Sequence, residues 1–229
     1  MSSHSNSKPT IGYVLRTDAR YPAALSLLGE RAPTSLALLG NADLLGENVV
    51  ALFCSVKCPG SLILKTYDLE QNLRDSDATV ISGFHSPVER ECLNDLCKAS
   101  KKVIICPARG LERMRISADY RKLLENGRLL LLSPFSEKQR QANAEMAERR
   151  NHLVAALAGQ IFVTYAAPRS KTERLCRQIV QWNKPLFTFS SETNTNLVQI
   201  GAATLDRDFR PLTRSASTLL PAHLSIGGE

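Results

Sequence analysis

Aromatic residues are scarce in this sequence, at 6% of 229 residues, and Trp182 is the only tryptophan. A binding surface built mainly from exposed aromatic platforms is therefore excluded, and a lone tryptophan at a helix end reads as a packing residue. Long apolar runs are absent too: the longest, around 129–132, is far too short to span a bilayer, and the opening MSSHSNSKPT is polar where a secretory segment would be apolar. A cytoplasmic protein with no membrane partner is expected. The six cysteines form no C-x-x-C pair and no Cys/His cluster, so no structural zinc or other metal is expected, and the thiols read as reduced and mostly buried. Ser55 and Ser170 lack a His/Asp pattern around them, which argues against a nucleophile. No catalytic residue and no cofactor are expected.

What remains is a chain rich enough in core residues, 43% hydrophobic and 22% charged, to fold as one domain with short appendages. Lysine and arginine outnumber aspartate and glutamate by 29 to 22, a net charge of +7, which favours a polyanionic partner without naming it. Short apolar runs alternate with helical patterns. NVVALFCS precedes SLILKTYDLEQNLRDS, ATVISG precedes PVERECLNDLCKAS, and KKVIIC precedes SADYRKLLENG. RLLLLS precedes a helical stretch over 137–158, QIFVTY precedes KTERLCRQIVQWN, and PLFTF precedes TNTNLVQIGAA. Continuous apolar strands separated by helices predict a Rossmann-like, doubly wound α/β fold, a mostly parallel sheet with helices on both faces. The expected organisation is a lead-in over 1–47 packing on the core outside the sheet, a Rossmann domain over 48–203, and a polar tail over 204–229.

In such folds ligands sit beyond the carboxyl ends of the strands, which singles out the loops CSVKCPGS, GFHSPVE, CPARGLERMR, SPFSEK and AAPRSKTE. Arg109, Arg113 and Arg115, followed by Arg121, Lys122 and Arg128, make the middle third basic. Each could equally be a solvated surface residue; their place at the ligand edge favours polyanion contact. The stretch ERRNHLVAALAG, over 148–159, sets Arg149, Arg150, Asn151 and His152 at the mouth of a helix whose small residues permit close packing on the sheet. An arginine at such a helix edge is seldom core, so loss of Arg150 is expected to leave the fold intact.

The series YPAAL, APTSLALLGN, VVALFCSVKCPGS, VISGF, RRNHLVAALAG and NLVQIGA, in that order and spacing, resembles the core of the DNA-processing protein A (DprA/Smf) family over about 21–202. The resemblance implies a binding protein for single-stranded DNA, commonly a homodimer, that acts in DNA processing and recombination with a recombinase partner, or in defence against foreign DNA with a partner protein. It maps the family's phosphate-contacting loops onto Ser55, Lys57, Gly83 and His85, with Arg109, Arg169, Ser170 and Lys171 as further phosphate candidates. Arg150 and Asn151 match the family's Arg-Asn pair, with Arg149 as the alternative arginine.

The match departs from the family at its glycines. Where the first loop of the family carries Gly-Ser-Arg, this chain has Cys54, Ser55 and Val56; where a later loop carries Ser-Gly-Ser/Thr, it has Arg169, Ser170, Lys171 and Thr172. Side-chain charge is gained where a backbone cradle is lost. Related nucleotide hydrolases share Met146 and Arg149 with this chain, but their glycine-rich loop is missing from AAPRSKTERL, and neither Glu89 nor Glu173 has a placed substrate carbon to act on. An enzyme is therefore not expected. A regulatory sensor of a nucleotide-derived ligand, in a phage-defence or toxin–antitoxin setting, is the alternative.

Overall fold

The computed structural model describes residues 10–46, 48–112, 114–205 and 209. Among them, nine strands form a single sheet in the order β1-β2-β6-β5-β4-β3-β7-β8-β9. The strands are β1 (Gly12–Leu15), β2 (Ser35–Gly40), β3 (Val49–Cys54), β4 (Thr79–Ser82), β5 (Val103–Ile105), β6 (Leu129–Ser133), β7 (Gln160–Tyr165), β8 (Leu186–Phe189) and β9 (Ala203–Leu205). The helices are α1 (Gly60–Asp75), α2 (Pro87–Lys98), α3 (Ala118–Glu125), α4 (Ala144–Leu157), α5 (Lys171–Gln181) and α6 (Thr195–Ile200). From β6 to β9 in the sheet order every pairing is parallel, and only β1–β2 and β2–β6 are antiparallel.

The apolar runs of the sequence become strands because both faces of the sheet are covered. Along β3, Val49, Ala51 and Phe53 enter the core layer shared with Leu153, Val154, Leu175 and Ile179 of α4 and α5. Val50 and Leu52 enter the opposite layer, with Leu62, Leu69, Leu93 and Leu123 of α1, α2 and α3. A strand buried on both sides has no polar face to alternate with, which is why VVALFC is continuously apolar. In α4, Ala155 and Ala156 are fully buried, so the helix approaches the sheet closely.

Three expectations are corrected. The lead-in does not lie outside the sheet: β1 and β2 extend it as antiparallel edge strands, while a 3-10 segment over Ala23–Arg31 buries Leu25 and Leu28 beside α4. At the other edge Thr204, taken as the start of a tail, pairs with Thr188 in β8, and Phe209 is buried with its ring centroid 6.2 Å from that of Phe189. The rest of the stretch after Leu205 lies outside the described residues. The helical stretch over 137–158 shortens to α4, because Asn143 turns its side chain to accept from Met146 N at 2.8 Å and caps the helix there.

The chain lays down β3 to β6 in one direction, returns through α4, and continues from β7 in the other. The strand order reverses between β3 and β7, and the carboxyl ends at such a switch point are where α/β sheets place their ligands.

Candidate functional site

At the switch point a β-bulge between Phe53 and Cys54 breaks the register with β7, so Cys54 pairs with Tyr165. Bulges re-aim the residues that follow them. The next residue, Ser55, donates its N–H to Tyr165 O at 2.8 Å, and its hydroxyl accepts from Ala167 N at 3.1 Å and contacts Thr172 Oγ1 at 3.4 Å. Ser55 therefore fastens the loop after β3 to the loop after β7. Lys57 stands exposed above this joint, as does Arg169 on the other loop, and neither side chain forms a hydrogen bond among the described residues.

The loop after β4 is closed from inside. Glu89 in the first turn of α2 is buried, and its carboxylate accepts from Cys54 N at 2.8 Å, His85 N at 2.7 Å and Ser86 N at 3.2 Å. Ser86 returns the contact by accepting from Glu89 N at 3.2 Å, a capping box. Backbone N–H groups at a helix start are the usual anion cradle, and here an internal carboxylate occupies it.

Above Gly83 lies Arg150. The residue is 4% exposed, and its guanidinium donates through Nη1 to Cys106 O at 2.8 Å and through Nε to Asn151 Oδ1 at 2.7 Å. Burial pulls its pKa below the usual arginine range, and the nearby Glu89 carboxylate acts in the opposite direction. A Cβ on Gly83 would fall 1.3 Å from Arg150 Nη1, so glycine is required for this side chain to pass. The expectation that Arg150 sits at a helix edge, dispensable to the fold, is thereby corrected: α4 turns it into the sheet.

The loop after β7 repeats the device, again with a buried carboxylate but with an exposed arginine, Arg169, on the loop itself. Glu173, in the first turn of α5, accepts from Arg169 N at 2.8 Å and from Asn196 Nδ2 at 2.9 Å, and Ser170 accepts from Glu173 N at 3.1 Å. The Asn196 hydrogen bond, the Arg169 N–H and the cations Arg177 and Arg169 hold the Glu173 carboxyl below the usual range. Lys171 pairs with Glu148 at 2.8 Å and contacts Ala144 O at 3.3 Å, tying α5 to α4.

The other sequence candidates fall elsewhere. His85 is exposed on the β4 loop, with its N–H spent on Glu89. Arg109 is half-buried after β5, where its carbonyl accepts from Ser133 Oγ at 2.7 Å. Arg149 is exposed one position from the buried Arg150, sits 5.5 Å over the Phe135 ring, and lines an open cleft of about 460 Å³ with Lys138, Arg140 and Asn143. His152 and Trp182 meet edge to face at 6.3 Å, both half-buried. Arg128 immediately precedes β6 and so stands at the opposite edge of the sheet from these loops. Arg113 lies outside the described residues. The candidates thus separate into a switch-point group (Ser55, Lys57, Arg169, Ser170, Lys171), an interior group (Gly83, Arg150, Asn151) and outlying cations. Glu89 and Glu173 were weighed in the sequence only as hydrolytic carboxylates, yet the Ser-x-x-Glu spacing of SPVE and SKTE was the signal of their capping role. Among the described residues, no group of three or more His, Cys, Asp and Glu is placed to hold a metal ion, and no helix is long and apolar enough to cross a membrane.

Comparison with known proteins decides the relationship. The family model described as DNA recombination-mediator protein A matches residues 12–215. The chain belongs to this family. The DNA processing protein A (DprA) of Streptococcus pneumoniae superposes with a TM-score of 0.72 at 22% identity, over 86% of this chain and 72% of that one. The DNA processing protein A of Helicobacter pylori, described for its single-stranded DNA binding mode, gives 0.68 at 21% identity, over 89% and 93%. At these identities the two structures show the shared fold. No curated protein matches the chain. Arg150 and Asn151, the two residues that the resemblance matched to an Arg-Asn pair, meet as an interior contact.

Proposed function

We propose that this chain binds single-stranded DNA as a DprA-like recombination mediator, gripping the phosphates with side-chain cations instead of a backbone cradle. The observation that carries the reading is the pair Lys57 and Arg169, exposed on the two loops of the switch point, with no side-chain hydrogen bond from either among the described residues and only a longer-range attraction of Arg169 to Glu173. The membership of the family and the net charge of +7 support it. So does the use of the loop N–H groups by Glu89 and Glu173, which leaves phosphate contact to lysine and arginine side chains. With few aromatics to stack bases, affinity comes mainly from phosphates and falls steeply with salt. A homodimer would double the basic surface offered to one strand, and a recombinase is the partner that family membership favours.

The test is fluorescence anisotropy with labelled single- and double-stranded oligonucleotides at two salt concentrations, with light scattering for the dimer. Single strands are expected to bind more tightly. The double change Lys57→Ala with Arg169→Ala is expected to reduce the slope of log affinity against log salt by about 1.4, or about 0.7 for each phosphate that is no longer neutralised. Unchanged affinity and slope would overturn the reading, and saturable thermal stabilisation by a mononucleotide in place of DNA would favour a nucleotide sensor.

A further inference from the structure

Exposed apolar surface gathers on one side of the switch point. Among the described residues eight large apolar side chains are exposed, and four of them, Val56, Ile63, Leu64 and Tyr67, fall on the loop after β3 and the start of α1. The other four are scattered over β1, the 3-10 segment and α6. Leu62, Thr66, Leu69 and Leu73 make the buried side of α1, so Gly60, Leu64 and Tyr67, spaced by four and three residues, share the side turned away from the sheet, with Ile63 at its flank. A Cβ on Gly60 would meet nothing within 4 Å, so the surface is open there. Leu64 is 68% exposed and Tyr67 47%, and the Tyr67 side chain makes no hydrogen bond or ring contact among the described residues. Asp68 and Gln71, both exposed, return the helix to polar surface beyond it.

Size and position decide what such a patch can take. Four partly exposed side chains fall well short of the roughly 800 Å² that each partner gives to a stable protein interface, which argues against a second copy of the chain. The patch is also continuous with the proposed phosphate grip: Lys57 lies directly after Val56 on the loop that leads into α1. Apolar surface beside an exposed cation suits a strand that presents base faces alongside its phosphates. In a duplex those faces are stacked on one another and out of reach. A grip on phosphates alone favours the duplex, which carries one charge per about 1.7 Å of axis. Preference for single strands therefore requires a contact with the bases themselves.

We infer that Val56, Leu64 and Tyr67 form a base-binding subsite beside Lys57, in which an unstacked base of a single strand lies on the tyrosine ring and its aliphatic neighbours. The inference rests on the proposed binding of single-stranded DNA and supplies the part of it that tells strand from duplex. Because the contact is apolar, the affinity it adds is not screened by salt. Because every base has a π-face, it is tolerant of sequence.

The test measures fluorescence anisotropy of the full chain with three labelled probes of equal length: an intact single strand, the same strand made abasic, and a duplex. The wild type is expected to hold the intact strand about 5- to 10-fold more tightly than the abasic one, the lower end of what stacking a base on one aromatic ring contributes. Tyr67→Ala should lose that same factor on the intact strand, leave the abasic strand and the duplex unchanged, and keep the slope of log affinity against log salt. Leu64→Asn should lose less in the same pattern, and Tyr67→Phe should bind as the wild type does. Lys57→Ala should weaken all three probes and lower the single-strand slope by about 0.7. Circular dichroism should show every variant folded, and light scattering should give Tyr67→Ala the mass of the wild type. Equal binding of intact and abasic strands by the wild type would overturn the subsite and leave the phosphate grip standing, whereas binding of no probe would overturn both. A loss on all three probes with Tyr67→Ala, or a change in its mass that assigns the patch to a second copy, would also overturn the subsite.

Discussion

The loops after β4 and β7 are built alike and serve different ends. Each begins a helix with Ser-x-x-Glu, and in each the glutamate reaches back four residues, to His85 N at 2.7 Å in one and Arg169 N at 2.8 Å in the other. Each also holds a non-glycine residue in the left-handed region, Phe84 at φ 47° and Arg169 at φ 62°. Above the first loop lies Arg150, which with Cys106 O seals Glu89 in the interior. Above the second are Asn196 and Arg177, and Arg169 itself projects into solvent. One local device thus makes an interior joint and a surface grip. What differs is the helix that passes over it.

The largest expected effect breaks the interior joint. Gly83→Ala drives a Cβ into the Arg150 guanidinium, which has no room to withdraw while bonded to Cys106 O and Asn151. The cost should reach about 3 kcal/mol, the upper part of the overpacking range. Arg150→Ala should cost about 2 to 3 kcal/mol by stripping a charged donor from a buried carbonyl. In the double variant the clash is gone, so urea unfolding should show a loss well below the sum of the two. Additive losses would mean that Arg150 does not lie over Gly83. Arg149→Ala, on the exposed side of the same helix, should stay within about 0.5 kcal/mol.

The two glutamates sharpen the contrast. Glu89→Gln removes charge from a buried carboxylate that serves three N–H donors and should cost about 1.5 to 3 kcal/mol, whereas Glu173, equally buried, serves two N–H donors beside the exposed Arg177, so Glu173→Gln should cost less, about 1 to 2 kcal/mol. The Glu173 carboxyl is held low in the fold, so its contribution is present above the unfolded value and fades as pH falls through the folded one. Glu173→Gln should flatten the acid limb of a stability profile.

Glu70 on α1 runs the other way. It is buried, faces Asp95 on α2, and its carboxyl is pushed up to about 7 by burial first and Asp95 second. A raised carboxyl stabilises fully below its unfolded value of about 4.5, and that stability is lost as pH rises through about 7. Glu70→Gln should therefore gain on the order of 1 kcal/mol at pH 8 and little at pH 5, read from urea midpoints. A carboxylate with N–H donors and one without would then be told apart by sign.

How far the sequence discloses this architecture depends on how local each cause is. The parallel strands are legible because burial on both faces leaves unbroken apolar runs such as VVALF and RLLLL. The edge strands are not: β1 exposes Tyr13 and Leu15, and β9 spans only Ala203–Leu205, so neither leaves a distinctive run. At the site, the positive residues of the loops can be read directly, but the burial of Arg150 cannot, because it depends on Gly83 and Cys106, far away in the chain. The glutamates lie between these cases. Their Ser-x-x-Glu spacing is local, but which loop stays open is settled by the course of α4.

The smallest effect separates what Arg169 does for the fold from what it does for a ligand. At φ 62° its backbone occupies the region where an L side chain crowds the following carbonyl, at a cost of about 1 to 2 kcal/mol that glycine escapes. Glycine forfeits part of that gain to its more flexible unfolded chain, so Arg169→Gly should stabilise by about 0.5 to 1 kcal/mol. The bond from residue 169 N to Glu173 is retained, since it belongs to the backbone. The same change removes an exposed cation from the switch point, so DNA affinity should fall and the salt slope should drop by about 0.7. Stability and affinity would move in opposite directions on one substitution. If the melting temperature falls along with affinity, Arg169 holds the loop through its side chain, and the surface grip is a second structural joint like that of Glu89.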